Sequence, residues 1–275
     1  IIMIVYGVTA NVSIAQLFIA GVFPGLLLAS LFMAYTIVWS LLHPDQIPPA
    51  DQNMTFLQKL DASRNLIPVI SLITAVLGSI YTGLATATEA AGLGVVGAMV
   101  IAAIQGEMNW KNFRDSLLGA TRLYCMIALI LAGAAFLTLA MGYIGLPRHL
   151  AEWIGSLGLS PLALVMALMA FFIILGCFLD GISIIVLTMG ILLPTIEKAG
   201  IDLIWFGIYV VLVVEMAQIT PPVGFNLFVL QGMTKKEITW LAKHSMPMFF
   251  LMVGAVLLIY FFPGIITWLP QHMAG

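Results

Sequence analysis

The stretch LIWFGIYVVLVVEMAQITPPVGFNLFVL (203–230) decides the architecture. It is apolar over 203–219 except for Glu215 and Gln218. It is interrupted at Thr220-Pro221-Pro222-Val223-Gly224 and is apolar again over 225–230. Proline has no N–H to donate and its ring crowds the preceding turn, so two in succession force a helix to unwind. Unwound backbone at membrane depth survives only where it is buried in protein or lines a cavity. The expected element is a helix broken in its middle.

The stretch before it points the same way. Residues 162–179 are apolar, Asp180-Gly181 interrupts, and 182–193 are apolar again. A second arm of about 12 residues makes about 18 Å of helix, too short to cross about 30 Å of hydrocarbon. A re-entrant hairpin with its tip at Asp180-Gly181 is expected.

Composition identifies the medium. Of 275 residues, 62% are hydrophobic and 8% are charged, against about 25% charged in a typical soluble domain. Mean hydropathy is +1.13. A soluble fold of this size must turn most of its area to water and cannot hide so much apolar surface. A cytosolic enzyme, a nucleic-acid binder and a disordered chain are excluded. Long continuous apolar runs argue against a β-barrel. What remains is an all-α polytopic membrane protein, with the lipid bilayer as its first partner. Net charge is −2, from 10 Lys+Arg and 12 Asp+Glu, and no basic stripe suits nucleic acid. Cys125 and Cys177 lie in apolar runs without a CxxC, so neither a disulfide framework nor a metal site is read. Ile1-Ile2-Met3 carries no charged n-region of a signal peptide. The opening reads as mid-segment, and the chain is expected to be a portion of a longer protein.

Along the chain, Asn11-Val12-Ser13 suits the cap of a short interfacial helix, and a long span with Pro24 follows over 17–42. A polar, Pro-containing loop fills 43–64, with Asp61 as the cap before the next helix. Further spans are expected at 66–80, 88–104, 121–141 and 246–269. Trp110, Phe113, Leu117 and Leu118 make an amphipathic piece. A second interfacial piece covers 146–153. A third opens at Thr234-Lys235-Lys236-Glu237 as a capping box. With 161–195 as a hairpin, one side of the membrane receives Lys59, Arg64, Lys111, Arg114, Arg122, Lys235, Lys236 and Lys243, and the other only Arg148 and Lys198. That asymmetry obeys the positive-inside rule, and two full crossings over 161–195 would give the same parity.

Gly92-Leu93-Gly94-Val95-Val96-Gly97 matches a dinucleotide-binding spacing but lies inside an apolar run, without the strand such a motif requires. Ala90, Gly94, Ala98 and Ala102 instead read as a small-residue packing face. Asp180 has two open readings, a solvated or capping loop carboxylate and a hairpin tip aimed into a binding cavity, because an ionisable group in a membrane is costly to keep. Glu215 is either a coupling or proton-holding carboxylate or a neutralised interior one. Glu89 complements a helix N-terminus. The run Thr220 to Asn226 is the candidate ion or substrate site, since half-helix ends offer carbonyls to Na⁺ and amides to anions. The histidines fall in loops or at ends, and no catalytic constellation is present.

Asp180-Gly181-Ile182-Ser183, then Gly190-Ile191-Leu192-Leu193-Pro194, Ala199-Gly200-Ile201-Asp202, and Ile219-Thr220-Pro221-Pro222-Val223-Gly224-Phe225-Asn226-Leu227-Phe228-Val229 resemble the large membrane subunit of tripartite ATP-independent periplasmic (TRAP) transporters. Tyr81-Thr82-Gly83 with Ala87-Thr88-Glu89-Ala90-Ala91 is similar too, with Ala87 in place of the usual proline. Ile2-Met3-Ile4-Val5-Tyr6-Gly7 resembles the run after the family's first proline pair. A faint internal echo pairs Ile14-Ala15-Gln16-Leu17 and Pro24 with Ile238-Thr239-Trp240-Leu241 and Pro247.

The resemblance implies an inverted-repeat, elevator-type transporter in the bacterial inner membrane, of which this chain is the C-terminal portion. Residues 1–9 would end the first broken helix, and 10–160 would supply scaffold and interfacial helices. Residues 161–233 would form the transport hairpin and broken helix, and 234–275 an interfacial arm and last span. Family function implies a permease for small organic acids such as C4-dicarboxylates or sialic acid. It would be driven by Na⁺, fed by a periplasmic binding protein and braced by a small membrane subunit. Carried over by residue, Asp180, Gly181, Thr220, Pro221, Pro222 and Gly224 would hold Na⁺, partly through backbone. Ser183, Val223 and Asn226 would meet substrate, and Glu215 is a possible coupling group. The alternatives are a binding-protein-independent symporter and a purely structural membrane scaffold. The protein is expected not to be an enzyme and to need no organic cofactor.

Overall fold

The computed structural model describes residues 1–46, 63–145, 149, 152–153, 156–177, 179–221 and 224–272. Among them every regular element is helical. The order is α1 (Ile2–Thr9), α2 (Ile14–Ala20), α3 (Val22–Leu42), α4 (Ile67–Tyr81), α5 (Ala87–Ile104), α6 (Trp110–Ile144), α7 (Pro161–Gly176), α8 (Gly181–Lys198), α9 (Leu203–Ala217), α10 (Phe225–Thr234), α11 (Ile238–Phe261) and α12 (Gly264–Gln271), with short 3₁₀ turns at Pro44–Gln46 and Ser63–Leu66. Four described stretches are long and apolar enough to cross a membrane: Ile14–Leu42, Ala87–Ile104, Gly181–Lys198 and Ile238–Phe261. The chain is an all-α polytopic membrane protein.

Several helices start where the sequence provides a cap. Ser13 Oγ accepts from Gln16 N at 3.3 Å, Ser160 Oγ from Ala163 N at 3.2 Å and Asp202 Oδ1 from Trp205 N at 2.7 Å. Each satisfies one of the donors a helix start leaves free. Thr86 and Glu89 form a reciprocal capping box, Thr86 N donating to Glu89 Oε2 at 2.8 Å and Glu89 N to Thr86 Oγ1 at 3.3 Å. Glu89 thus has the role expected of it.

Four expected boundaries move. The segment at 17–42 is two helices, α2 and α3, meeting at Gly21. The amphipathic piece at Trp110 and the following span are one continuous helix, α6. The second hairpin arm is 18 residues, not about 12, because α8 continues through Pro194 to Lys198, so it is long and apolar enough to cross a membrane and the expectation of an arm too short to do so is not met. The interfacial arm after 234 and the last span also merge into α11, which contains Pro247, while α12 splits off after Pro263. Thr234 opens no capping box. It ends α10, its Oγ1 donating back to Leu230 O at 2.7 Å, and α11 is capped at Glu237 without a side-chain bond. The Asp61 cap and most of 146–153 lie outside the described residues.

The chain forms two compact units: Ile1–Leu28 with Thr121–Gln271, and Ala29–Ala120 with His272–Gly275. In the second unit α4 and α5 pack together. Ala90 is fully buried. A Cβ on Gly94 would stand 3.3 Å from Val76 Cγ2, and one on Gly97 would meet Leu72 Cδ1. Ala98 and Ala102, expected on the same packing face, instead line a groove of about 450 Å³ between α5 and the start of α6.

The first unit is built around α9. Six helices pack on it: α1, α2, α7, α8, α11 and α12. A helix apolar on all sides belongs in a core, and Trp205, Phe206, Ile208, Tyr209, Val210, Val213, Val214 and Met216 are all buried. Buried aromatic polar atoms need partners, and here backbone carbonyls of three helices supply them. Tyr209 Oη donates to Val165 O on α7 at 2.6 Å. Trp205 Nε1 donates to Ile259 O on α11 at 3.1 Å. Tyr6 Oη, on α1, donates to Leu203 O at 2.7 Å. Helix α1 therefore runs antiparallel to α9, Tyr6 at its start and Ile2 beside Val214.

Tyr6 lies against Gly207, where a Cβ would stand 2.5 Å from Tyr6 Cε1 and 2.8 Å from Leu17 Cδ2. Gly207→Ala must displace both side chains. The expected cost is about 1–3 kcal/mol, read as a lower melting midpoint of the detergent-solubilised protein. An unchanged midpoint would show that α1 and α2 do not depend on this close approach.

Candidate functional site

The hairpin α7–α8 brings its tip to the end of α9. Its closest approaches are made by glycine. A Cβ on Gly176 would overlap that of Ala217. A Cβ on Gly181 would lie 2.7 Å from Gln218 Nε2, 2.8 Å from Ile2 Cδ1 and 2.9 Å from Val214 Cγ1. At Gly176 only hydrogen fits, and at Gly181 a Cβ would have to push three side-chain ends aside, so the tip, the end of α9 and the start of α1 meet there.

Asp180 is half-buried and caps α8. Its Oδ2 accepts from Ile182 N at 3.1 Å and Ser183 N at 3.4 Å, and its Oδ1 accepts from the Ser183 hydroxyl. Both carboxylate oxygens are thus engaged within the tip, which answers part of the choice left open by the sequence: the capping role is present.

After α9 the chain leaves the helix in a sequence of tight bonds. Ile219 N donates to Met216 O at 3.3 Å and Thr220 N to Ala217 O at 3.2 Å. Thr220 is buried, and its Oγ1 donates to Ala217 O at 2.6 Å. Pro221 and Pro222 cannot donate to the carbonyls four residues earlier. Ala217 O is served by Thr220 instead, and Gln218 O accepts from Asn226 N at 3.1 Å. Gly224 restarts the helix with φ +46°, its α-carbon so close to Thr220 O that a Cβ would stand 2.8 Å from it. Pro222 and Val223 lie outside the described residues.

The structure thus brings Asp180, Gly181 and Ser183 to one side and Thr220, Pro221, Gly224 and Asn226 to the other. Glu215 stands apart. It is the exposed position of an otherwise buried helix, and no ion pair reaches it among the described residues. Two participants carry no assignment from the sequence. Gln218 is buried beside Gly181, and its polarity within an apolar run was the available signal. Cys177 is buried with its thiol donating to Pro221 O at 3.2 Å. Nothing in the sequence pairs residues 44 apart.

Chemically the site joins helix ends of both signs. The C-termini of α7 and α9 present carbonyls, and the N-termini of α8 and α10 present amides. The former favour cations and the latter anions. Among the described residues no group of three or more His, Cys, Asp and Glu side chains could hold a metal. The donors gathered here are carbonyls, hydroxyls and one carboxylate, hard oxygen ligands.

Asp180→Ala removes the α8 cap and is expected to lower stability by about 0.5–2 kcal/mol, whereas Asp180→Asn, an equally good cap, should melt within a few tenths of a kcal/mol of wild type. Thermal unfolding in detergent separates the two. Equal losses would mean that the negative charge, not the cap, holds the tip.

Comparison with known proteins identifies the family. The family model of the tripartite ATP-independent periplasmic transporter DctM component matches residues 1–265. The chain is 32% identical over 276 residues to the isethionate TRAP transporter permease protein DctMQ of Oleidesulfovibrio alaskensis, covering 99% of this chain and 42% of that protein. It is 32% identical to the C4-dicarboxylate TRAP transporter large permease protein DctM of Rhodobacter capsulatus, over 95% of this chain and 59% of that one. It is 29% identical to the sialic acid TRAP transporter permease protein SiaT of Haemophilus influenzae, over 98% and 44% respectively. The chain spans about half the length of these curated relatives. They are transporter permeases, not enzymes. With its match running from residue 1 to 265, the chain belongs to the DctM-component family of TRAP transporters.

Proposed function

We propose that this chain provides one half of the translocation site of a Na⁺-coupled, binding-protein-dependent importer of small organic acids in the bacterial inner membrane. The observation that carries the reading is the hairpin tip seated on the double-proline break, where four helix ends converge. Carbonyls of the break, the Thr220 hydroxyl and the Asp180 carboxylate are the donor types a hard monovalent cation takes. The amide end of α10, with the Asn226 side chain, suits the acid group of the substrate, and Ser183 and the first amides of α8 would join it on leaving Asp180. Na⁺ binding would strengthen the hold on an anion by bringing positive charge beside it.

The relatives' names speak of C4-dicarboxylate, sialic acid, ectoine and isethionate. These share a compact, acid-bearing form, and that class is the substrate proposed here. The small membrane subunit and a periplasmic binding protein are the proposed partners. In the inverted-repeat reading α1 is the end of the matching broken helix. Its antiparallel run along α9, with Ile2 at the hairpin tip, supports that assignment. A re-entrant hairpin moving as part of an elevator follows from the same reading.

The test is uptake by proteoliposomes holding the full-length parent with its small subunit. Labelled dicarboxylates, sialic acid, ectoine and isethionate are offered with and without an inward Na⁺ gradient and the binding protein. Uptake is expected to need both. Uptake with Na⁺ alone would replace the reading with a self-sufficient symporter, and uptake indifferent to Na⁺ would move attention to Glu215 as a proton carrier. In the same assay Gly224→Ala is expected to lower uptake at least about 10-fold, since a left-handed non-glycine residue costs about 1–2 kcal/mol before its Cβ meets the Thr220 carbonyl. Wild-type uptake by Gly224→Ala would show that the turn is not needed in transport.

A further inference from the structure

We propose that Cys177 is a positioning residue of this site, its thiol holding the Pro221 carbonyl and so setting how the hairpin tip rests on the unwound segment. The inference rests on the transport reading and adds a residue that reading did not use.

Three observations converge on it. First, Cys177 is buried at the C-terminus of α7, and Sγ donates to Pro221 O at 3.2 Å, across 44 residues of sequence. Second, the competing acceptor is the more distant one. Thr220 Oγ1 lies 3.6 Å from Sγ, and its own proton goes to Ala217 O at 2.6 Å. One thiol proton serves one acceptor, and the shorter contact is to Pro221. Third, Gly176 and Ala217 touch so closely that neither tolerates more volume. That contact brings the neighbouring thiol within reach of the break.

The thiol gives the Pro221 carbonyl a partner at the break. In a continuous helix that carbonyl would accept from the N–H four residues on, but the left-handed turn at Gly224 interrupts that path. A thiol is a weak donor and a soft one. It can hold the carbonyl in place without competing as strongly as a hydroxyl for an oxygen that a cation also seeks. Aimed correctly, the carbonyl contributes to the ion site. Released, it turns away and the ion must reorder it.

The experiment uses the full-length protein with its small subunit in proteoliposomes, supplied with the binding protein. Initial uptake is measured against Na⁺ concentration for wild type, Cys177→Ser, which keeps a donor, and Cys177→Val, which keeps the bulk and loses it. The expected result is a rise of at least about 3-fold in half-saturating Na⁺ for Cys177→Val, the scale of one lost hydrogen bond. The maximal rate should stay within about two-fold, and Cys177→Ser should lie near wild type. A merely structural thiol would lower the maximal rate through lost protein and leave half-saturation unmoved. That outcome overturns the proposal, as does equal impairment of the Ser and Val variants or no effect in either. Should wild-type uptake ignore Na⁺, the coupling reading falls by itself. The same variants are then scored on half-saturating substrate, where the same pattern supports the positioning role and its absence refutes it.

Discussion

The first unit is organised around one requirement: new donors for backbone carbonyls at the end of a buried apolar helix, where proline has removed the usual ones. Pro221 and Pro222 take away two N–H groups just where α9 would continue. In a medium without water an unpaired carbonyl costs several kcal/mol, so the surrounding chain must provide donors. It does so from nearby and far away. Thr220 turns back to Ala217 and Asn226 reaches over to Gln218, while Cys177 arrives from the hairpin for Pro221, whose helical path the turn at Gly224 interrupts. The hairpin is thus part of the solution to the break as well as its neighbour.

The same constraint explains the unusual burial of α9. A helix that must stop halfway cannot rely on lipid along its length, and here six helices enclose it. Its aromatic residues carry polar atoms, each paired with a carbonyl of a different helix or its own start. Tyr209, Trp205 and the opposed Tyr6 are apolar mass with a single directional bond. Bulk packing alone would hold these helices together. The directional bonds specify which turn faces which.

Glycine makes the functional contact possible. At Gly176 the hairpin comes closer to α9 than any side chain allows, at Gly181 a Cβ would have to push side-chain ends aside, and at Gly224 the chain takes a left-handed turn that restarts the helix. Helix ends of opposite polarity are thereby collected in one place, the arrangement on which the proposed cation and anion sites rest. Asp180 fits that arrangement. Its carboxylate caps α8, orienting the amide end of that helix, and both of its oxygens are engaged within the tip.

Much of this was written locally in the sequence. Apolar content identifies the medium, the proline pair identifies the break, and Ser13 and Glu89 announce helix starts, because each of these effects acts within a few residues. The motif resemblance names the family for the same reason: it rests on contiguous runs around Asp180 and Thr220. Helix ends without a local signal were misplaced. Pro194 and Pro247 sit inside helices that neighbouring contacts sustain, and the amphipathic turn at Trp110 fuses with the span after it. Only tertiary structure decided which residues meet. The sequence marks Gly181 and Gln218 as unusual, but their mutual contact depends on the angle between hairpin and helix. Nor does any periodicity join Cys177 to Pro221. Hydrogen bonds between distant segments are chosen by packing, and packing is a property of the whole unit.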